Sequence, residues 1–467
     1  MTPRTLRTLL AAAMAAFLVS CGGGGGSPGT ELKGVAAIGA PVVDGTVTVR
    51  CASGPELATT TTAGGAWSAL LRGQEFPCLV AVTGGNIPDG ETLYSMAVDD
   101  SDLNVTPLTS LVLAQAFGKD SSELDELPSL DEARTALTTG AEAVAEMLRA
   151  SGYASVPTNP LTDSFEPVAG DAYDDLLEQL ARSLEDAGMT LTDMVEQVAS
   201  GNTDVGIPMT HVFTAAELQA MPQLNGATIA ASGGELAMTL PEAANAVGAF
   251  IGGGNGNKAV LQLPGFHGMK LRDFKNMSLD VKGPPKVGGK NVYAYVNIVV
   301  DLQCDLSPLP ANATLADVRA RRRILIYDPY YTYVQQSPTQ FNESTYTTMS
   351  FDFTSPGWRA NPGAALGTGF AVTPSYSGSE TFTGFEAAYP DACIVDASAG
   401  DGGMFRDRGA DAACATSSGL SETAPAACGK AHSGVTVILG DSNTTFATQW
   451  KVKNIRFEGA NVRSFGF

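Results

Sequence analysis

The sequence predicts a multidomain α+β protein in three folded parts: a small β-sandwich, an acidic α-helical middle domain and a larger C-terminal β-sandwich. Three observations predict it. Apolar residues alternate with period two in residues 31–98, switch to spacings of three and four in 99–222, and alternate again in 223–467. The chain has 467 residues, a length at which two or three domains are expected. Its charge is also uneven. From Asp99 to Ser200 there are 21 acids and 4 bases, so most of the net charge of −21 belongs to the helical piece.

Residues 1–20 have the three parts of an export signal: Arg4 and Arg7, an apolar run from Leu9 to Leu18, and the small-residue exit Val19-Ser20. The run falls short of the roughly 20 residues that a membrane span needs. Leu18-Val19-Ser20-Cys21 resembles the lipobox of bacterial lipoproteins. The resemblance implies that the Cys21 thiol is acylated, that cleavage precedes it, and that Cys21 becomes the first mature residue. Gly22 stands where that family's inner-membrane retention signal has aspartate. Sorting to an outer membrane is therefore implied, with the body facing the periplasm or exposed at the surface. The alternative is an ordinary signal peptide followed by a structural cysteine.

Residues 21–30 are then the lipidated cysteine and a Gly-rich linker. Nine such residues reach about 16 Å, enough to hold a folded body off the headgroups. Loss of Arg4 and Arg7 with the signal takes the net charge from −21 to −23. Such a surface repels nucleic acid and anionic headgroups, so the membrane is expected as a partner only through the anchor.

Six cysteines remain: Cys51, Cys78, Cys304, Cys393, Cys414 and Cys428. An even number in an exported chain reads as disulfides, and three pairs admit 15 connectivities. Local pairing joins Cys51 to Cys78 and Cys414 to Cys428, leaving Cys304 for Cys393.

In residues 31–98, Val35 to Val49 alternates around the turn Val43-Asp44-Gly45. Thr59 to Thr62 then runs into Gly64-Gly65-Ala66-Trp67, and Cys78 to Val82 forms a third run. The order GAPVVDGTVTV, ATTTTAGGAW, PCLVAV resembles the carboxypeptidase regulatory-like, transthyretin-type β-sandwich. Members of that family are usually spacers or binding modules.

In residues 99–222, Thr106-Pro107 caps and starts a helix. Ser129 and Glu132 form a capping box before Ala133–Ala150. Leu176, Leu177, Leu180 and Leu184 recur at helical spacing up to Gly188, and Thr214 with Glu217 caps a last short helix. The stretches NVTPLTSLVLA and NPLTDSF resemble segments of Gram-negative lipoproteins that carry the same β-module in front. The acidity is a solvated helix face or a surface for a cationic partner.

In residues 223–467, Val292–Val300, Ile324–Tyr327, Val435–Leu439 and Trp450–Phe457 are strand-like, separated by loops rich in Gly, Pro, Ser and Asp. They predict a two-sheet jelly roll. Their spacing resembles the jelly-roll carbohydrate-binding-like domains of secreted bacterial proteins.

Several stretches carry chemistry at first sight. Gly440-Asp441-Ser442-Asn443-Thr444 resembles the opening of SGNH-class esterases, but no histidine follows His432 to serve as base, so a turn between strands is expected. His211, His267 and His432 are far apart and are expected in exposed loops. Gly252–Asn257 has no GK[ST] and is a loop. Phe465 and Phe467 lack the alternating strands of a membrane barrel and mark a strand end.

Asp396, Asp401, Asp407 and Asp411 form an oxygen-rich loop that either holds calcium, the one candidate metal, or is merely hydrated. No other cofactor is expected. Tyr330, Tyr331, Tyr333 and Trp358 offer flat rings for sugar stacking, and Arg321 and Arg322 forked donors for an anionic polysaccharide. Against this stands a core-facing strand with arginines at its rim.

The expected protein is a lipid-anchored envelope component with a non-enzymatic binding or structural role, its ligand a glycan or another extracellular surface. The alternatives are a protein-binding scaffold or adhesion component using the acidic helices, and a loop-built hydrolase acting on polysaccharide.

Overall fold

A computed structural model describes residues 29–201, 206–224, 226–242, 258–284, 293–307, 317, 320–327, 341–351, 353–354, 358–361, 381–396, 405–406, 429–430, 432–440, 447–459 and 461–467. The export signal and Cys21 lie outside them. The described chain is mixed α/β and mostly β-sheet.

The first seven strands are β1 (Thr30–Ala36), β2 (Thr46–Ser53), β3 (Leu57–Thr60), β4 (Ala66–Leu71), β5 (Glu75–Thr83), β6 (Leu93–Ala97) and β7 (Leu103–Val105). They form two sheets, ordered β4-β1-β7 and β3-β2-β5-β6. Alternation decides which faces meet: Trp67, Ala69 and Leu71 point in from β4, and Val47, Val49 and Cys51 from β2. The turn at Asp44 (φ 55°) does not close a hairpin, because β1 pairs with β4 and β7 while β2 pairs with β3 and β5. It carries the chain between sheets, which lets both apolar faces share one core. Strand β7 comes from the stretch expected as helical and lies parallel to β1. Gly34 permits that approach, since a Cβ there would sit 1.7 Å from the Leu103 carbonyl oxygen.

Four helices follow: α1 (Pro107–Phe117), α2 (Leu130–Ser151), α3 (Ala172–Ala187) and α4 (Leu191–Ala199). Their starts are the expected caps. Thr106 accepts from Thr109 N, Ser129 and Glu132 exchange capping bonds, and Gly152 and Gly188 close α2 and α3 in the left-handed region. Helix α1 is buried from Pro107 to Ala114 and packs against α2, α4 and β6.

The remaining elements are β8 (Met209–Val212), α5 (Ala215–Ala220), β9 (Gln223–Leu224), β10 (Thr228–Ser232), β11 (Glu235–Leu240), β12 (Lys258–Leu263), β13 (Phe274–Lys282), β14 (Ala294–Asp301), β15 (Arg322–Tyr327), β16 (Thr347–Phe351), β17 (Trp358–Asn361), a short helix Phe382–Ala388, β18 (Cys393–Ile394), β19 (Phe405–Arg406), β20 (Gly429–Lys430), β21 (Val435–Leu439), β22 (Thr448–Gly459) and β23 (Val462–Gly466). One sheet runs β10-β11-β22-β13-β16, extended by β23 on β22 and β8 on β23. The other runs β17-β15-β14-β21-β12-β9, with β18 beside β14. Chain and space interleave. Strands β11, β13, β16 and β22 share the first sheet, while β12, β14, β15 and β21 share the second.

Every residue of β15 and β21 is buried, so the second sheet is covered on both faces. That explains their continuous apolar runs. Buried apolar residues form one connected cluster from Leu32 to Phe465. Among the described residues no helix is long and apolar enough to cross a membrane.

Disulfides join Cys51 to Cys78 and Cys304 to Cys393. Cys414 and Cys428 lie outside the described residues. Cys51 and Cys78 face each other across β2 and β5, 27 residues apart. Replacing both with alanine is expected to lower stability by about 3 kcal/mol, the loop-closure entropy returned to the unfolded chain, as read by urea unfolding.

Candidate functional site

The residues nominated from sequence divide sharply. Tyr330, Tyr331, Tyr333, Asp401, Asp407, Asp411 and residues 441–444 lie outside the described residues. Trp358 lies within them and is not a sugar platform. It is 3% exposed, because β17 sets it opposite Tyr327 on the core side of the sheet. Its ring stacks on Phe353 at 5.5 Å and lies 5.0 Å from Phe382.

Arg321 is likewise no free fork for a polysaccharide. Its Nε and Nη2 donate to Asp301 Oδ2 at 2.9 and 2.7 Å, and Nη1 lies 3.3 Å from Asp305 Oδ2. Asp301 is fully buried, and its Oδ1 accepts from the backbone N–H of Gln303 and Asp305. Arg322 is 3% exposed and sits opposite Asp301 in register, so it too serves the interior.

Asp396 accepts a short hydrogen bond from Gly434 N at Oδ1, and its own N–H donates to His267 Nδ1 at 3.0 Å. Burial pushes its carboxyl upward. Among the described residues no three His, Cys, Asp or Glu side chains are placed to hold a metal ion.

Two histidines depart from the exposed-loop expectation. His211 is half-buried in β8, with Nε2 3.1 Å from Glu217 Oε1. Burial lowers its pKa, while Glu217 works the other way. His432 is 4% exposed at the head of β21, and burial pulls its pKa down to about 4. On the outer face of the first large sheet, Glu235 binds Lys451 at 2.7 Å and Lys282 at 3.4 Å, and Lys451 chiefly holds its carboxyl down at about 2. This cluster satisfies itself.

A concave surface appears elsewhere. A trough of about 520 Å³ crosses the outer face of the β4-β1-β7 sheet. That volume lies within the range of small-molecule sites. Alternation turns Lys33 and Val35 outward from β1, opposite Ser68 and Ala66 of β4. Val35 also faces Asn104 of β7. Lys33 Nζ and Asp102 Oδ1, both lining the trough, meet at 3.3 Å. Exposed hydroxyls flank them: Thr60 and Thr62 at one end, Thr162 and Ser164 at the other.

The far wall is held by Asn104, whose Nδ2 donates to the carbonyls of Pro160 (3.1 Å) and Asp163 (2.7 Å). Phe165 completes that wall and packs on Tyr173 at 4.5 Å. Half-buried Val35 and its cross-strand neighbour Ala66 supply apolar ground. The arrangement offers hydroxyl donors and acceptors over an apolar floor, with one ion pair that neutralises itself.

Sequence reasoning missed this site. Its members come from four separated segments and each is ordinary alone. The Thr59–Thr62 run before Trp67 was the one local signal, and it reads equally well as plain strand. No family model matches the chain, and no curated protein and no solved structure matches it.

Arg321→Met should strand the Asp301 carboxylate in the interior and cost about 3–5 kcal/mol in urea unfolding, whereas an ornamental surface arginine would cost almost nothing. His432 has a folded pKa below its unfolded value, so its neutral form favours the fold at high pH. That contribution is present above about pH 6.5 and is lost as pH falls toward 4, because the unfolded chain then binds a proton the fold refuses. Relative to His432→Gln, the natural chain should lose about 3 kcal/mol across that window. Paired denaturation curves at several pH values would read the difference.

Proposed function

We propose that this chain is an exported lipoprotein of the cell envelope, held at an outer membrane through Cys21, with a binding role whose ligand is a glycan. The trough carries the glycan part. A pyranose presents hydroxyls around its edge and C–H groups on its faces. A shallow channel with Thr and Ser hydroxyls at both ends and Val35 and Ala66 beneath complements both.

Other features support the role. The Leu18–Cys21 stretch and Gly-rich linker resemble those of anchored lipoproteins. Two disulfides suit an oxidising compartment. The interleaving of β11–β16, β21 and β22 matches a jelly roll, an architecture that lectin domains also use. The first sandwich, with its resemblance to regulatory-like spacer and binding modules, holds the trough.

Membrane fractionation with labelled palmitate tests the anchor: label should enter the natural chain and be lost in Cys21→Ser. Pull-down of the full chain on insoluble polysaccharides tests the ligand. Retention on at least one is expected, and Val35→Arg, which fills the channel from an outward position, should weaken it about tenfold or more without moving the unfolding midpoint. No retention on any polysaccharide by a folded chain removes the glycan assignment. Undiminished retention by Val35→Arg removes the trough.

A further inference from the structure

We infer that the trough selects a glycan bearing free amino groups over its neutral and carboxylated counterparts, with Asp102 receiving the ammonium group. This rests on the glycan role above and adds the ligand's charge.

Lys33 and Asp102 both line the channel, with side chains 53% and 72% exposed. An ion pair so open to water is weak and a ligand can displace it. Two displacements are available. A uronic acid would take Lys33 and release Asp102, whereas an amino sugar would take Asp102 and release Lys33.

The charges on the surrounding elements decide between them. Strand β1 adds Glu31, and the approach to β7 carries Asp99 and Asp100 before Asp102. The opposite loop carries Asp163 and Glu166. Against these six acids stand Lys33 and Arg134, the latter reaching across from α2 to donate to the Val98 carbonyl beside Asp99. Arg72 follows β4 and Glu56 precedes β3, one charge of each sign. A carboxylated sugar would therefore enter an acidic field and lose by it, while an ammonium group gains.

Geometry agrees with the sign. Asp102 is the more exposed partner, so its carboxylate is the more open of the two to an incoming ammonium group. Lys33, once released, extends into solvent on a flexible stem at little cost.

Three polymers of one β-1,4-linked glucan backbone separate the possibilities: cellulose, chitosan with free amines, and carboxymethylcellulose. Binding of the full chain is measured at a pH where the chitosan amines are protonated, with poly-lysine as a competitor. Chitosan should bind about tenfold tighter than cellulose, and carboxymethylcellulose the least. Asp102→Asn should bring chitosan binding down to the level of cellulose.

Equal or tighter binding of carboxymethylcellulose overturns the amine assignment while the glycan role stands, as does an Asp102→Asn chain that keeps its preference. Competition by poly-lysine as strong, amine for amine, as by chitosan also overturns it, because charge alone then explains the binding. Retention on no polymer, here and in the wider pull-down, removes the glycan role itself.

Discussion

The fold depends on where its last strand goes. Strand β23 pairs with β22 on one edge and lies parallel to β8 on the other, joining residues 462–466 to 209–212. Arg463 leaves this strand for the interior and is 1% exposed. Its Nη2 donates to the Ala150 carbonyl at 2.8 Å, its Nε to Asn461 Oδ1 at 3.2 Å, and its guanidinium lies 4.8 Å over the Phe266 ring. No carboxylate accompanies it among the described residues. Burying such a charge is costly, and what offsets the cost is the C-terminal end of α2, whose free carbonyls carry partial negative charge. Burial draws its pKa down to about 9, which leaves it cationic at neutral pH. A residue from the chain's end thus completes a helix from its middle, 313 positions away.

That junction extends by hydrogen bonds to the trough. Strand β8 is tied to α3 three times: Thr210 N donates to Ser183 Oγ, Thr210 Oγ1 to Asp186 Oδ2, and Gln179 Nε2 to the Thr210 carbonyl. At its other end α3 presents Tyr173, whose hydroxyl donates to the Pro160 carbonyl at 2.8 Å and meets Thr106 Oγ1 at 3.2 Å. Pro160 is also held by Asn104, and Phe165 rests on the Tyr173 ring. The floor of the trough belongs to the first sandwich, but its far wall stands on a helix fixed by the last strand. The site is assembled by the whole fold, although its volume touches only the first 165 residues.

Local rules made much of this legible. Thr106, Ser129 and Thr214 each start a helix as their capping chemistry requires, and Gly188 ends one. The expected strand at 435–439 is the observed β21, and the expected 450–457 lies inside β22. Pairing was not legible. Alternation shows that Val35 and Val49 lie in strands that bury one face, but a shared sheet and facing sheets bury that face equally well. Strand β7 has three residues, too few to show a period, and Gly34 declares its neighbour only once Leu103 is seen against it.

The misread site residues share one cause. A tryptophan and neighbouring arginines suit a sugar, and they equally suit a buried strand and its end. The composition is the same, and one residue of register separates the two outcomes. In β15 the register turns Tyr327 inward against Trp358 and sets Arg322 opposite Asp301, while Arg321 just before the strand takes both donors to the same carboxylate. The aromatic and basic signal was spent on packing and on satisfying one buried acid. The trough shows the converse: Lys33 and Asp102 are unremarkable in sequence, and parallel pairing of β1 with β7 brings them within 3.3 Å on a face that solvent reaches. Residue type nominated only the first of these places, and register determined which of them opens to a ligand.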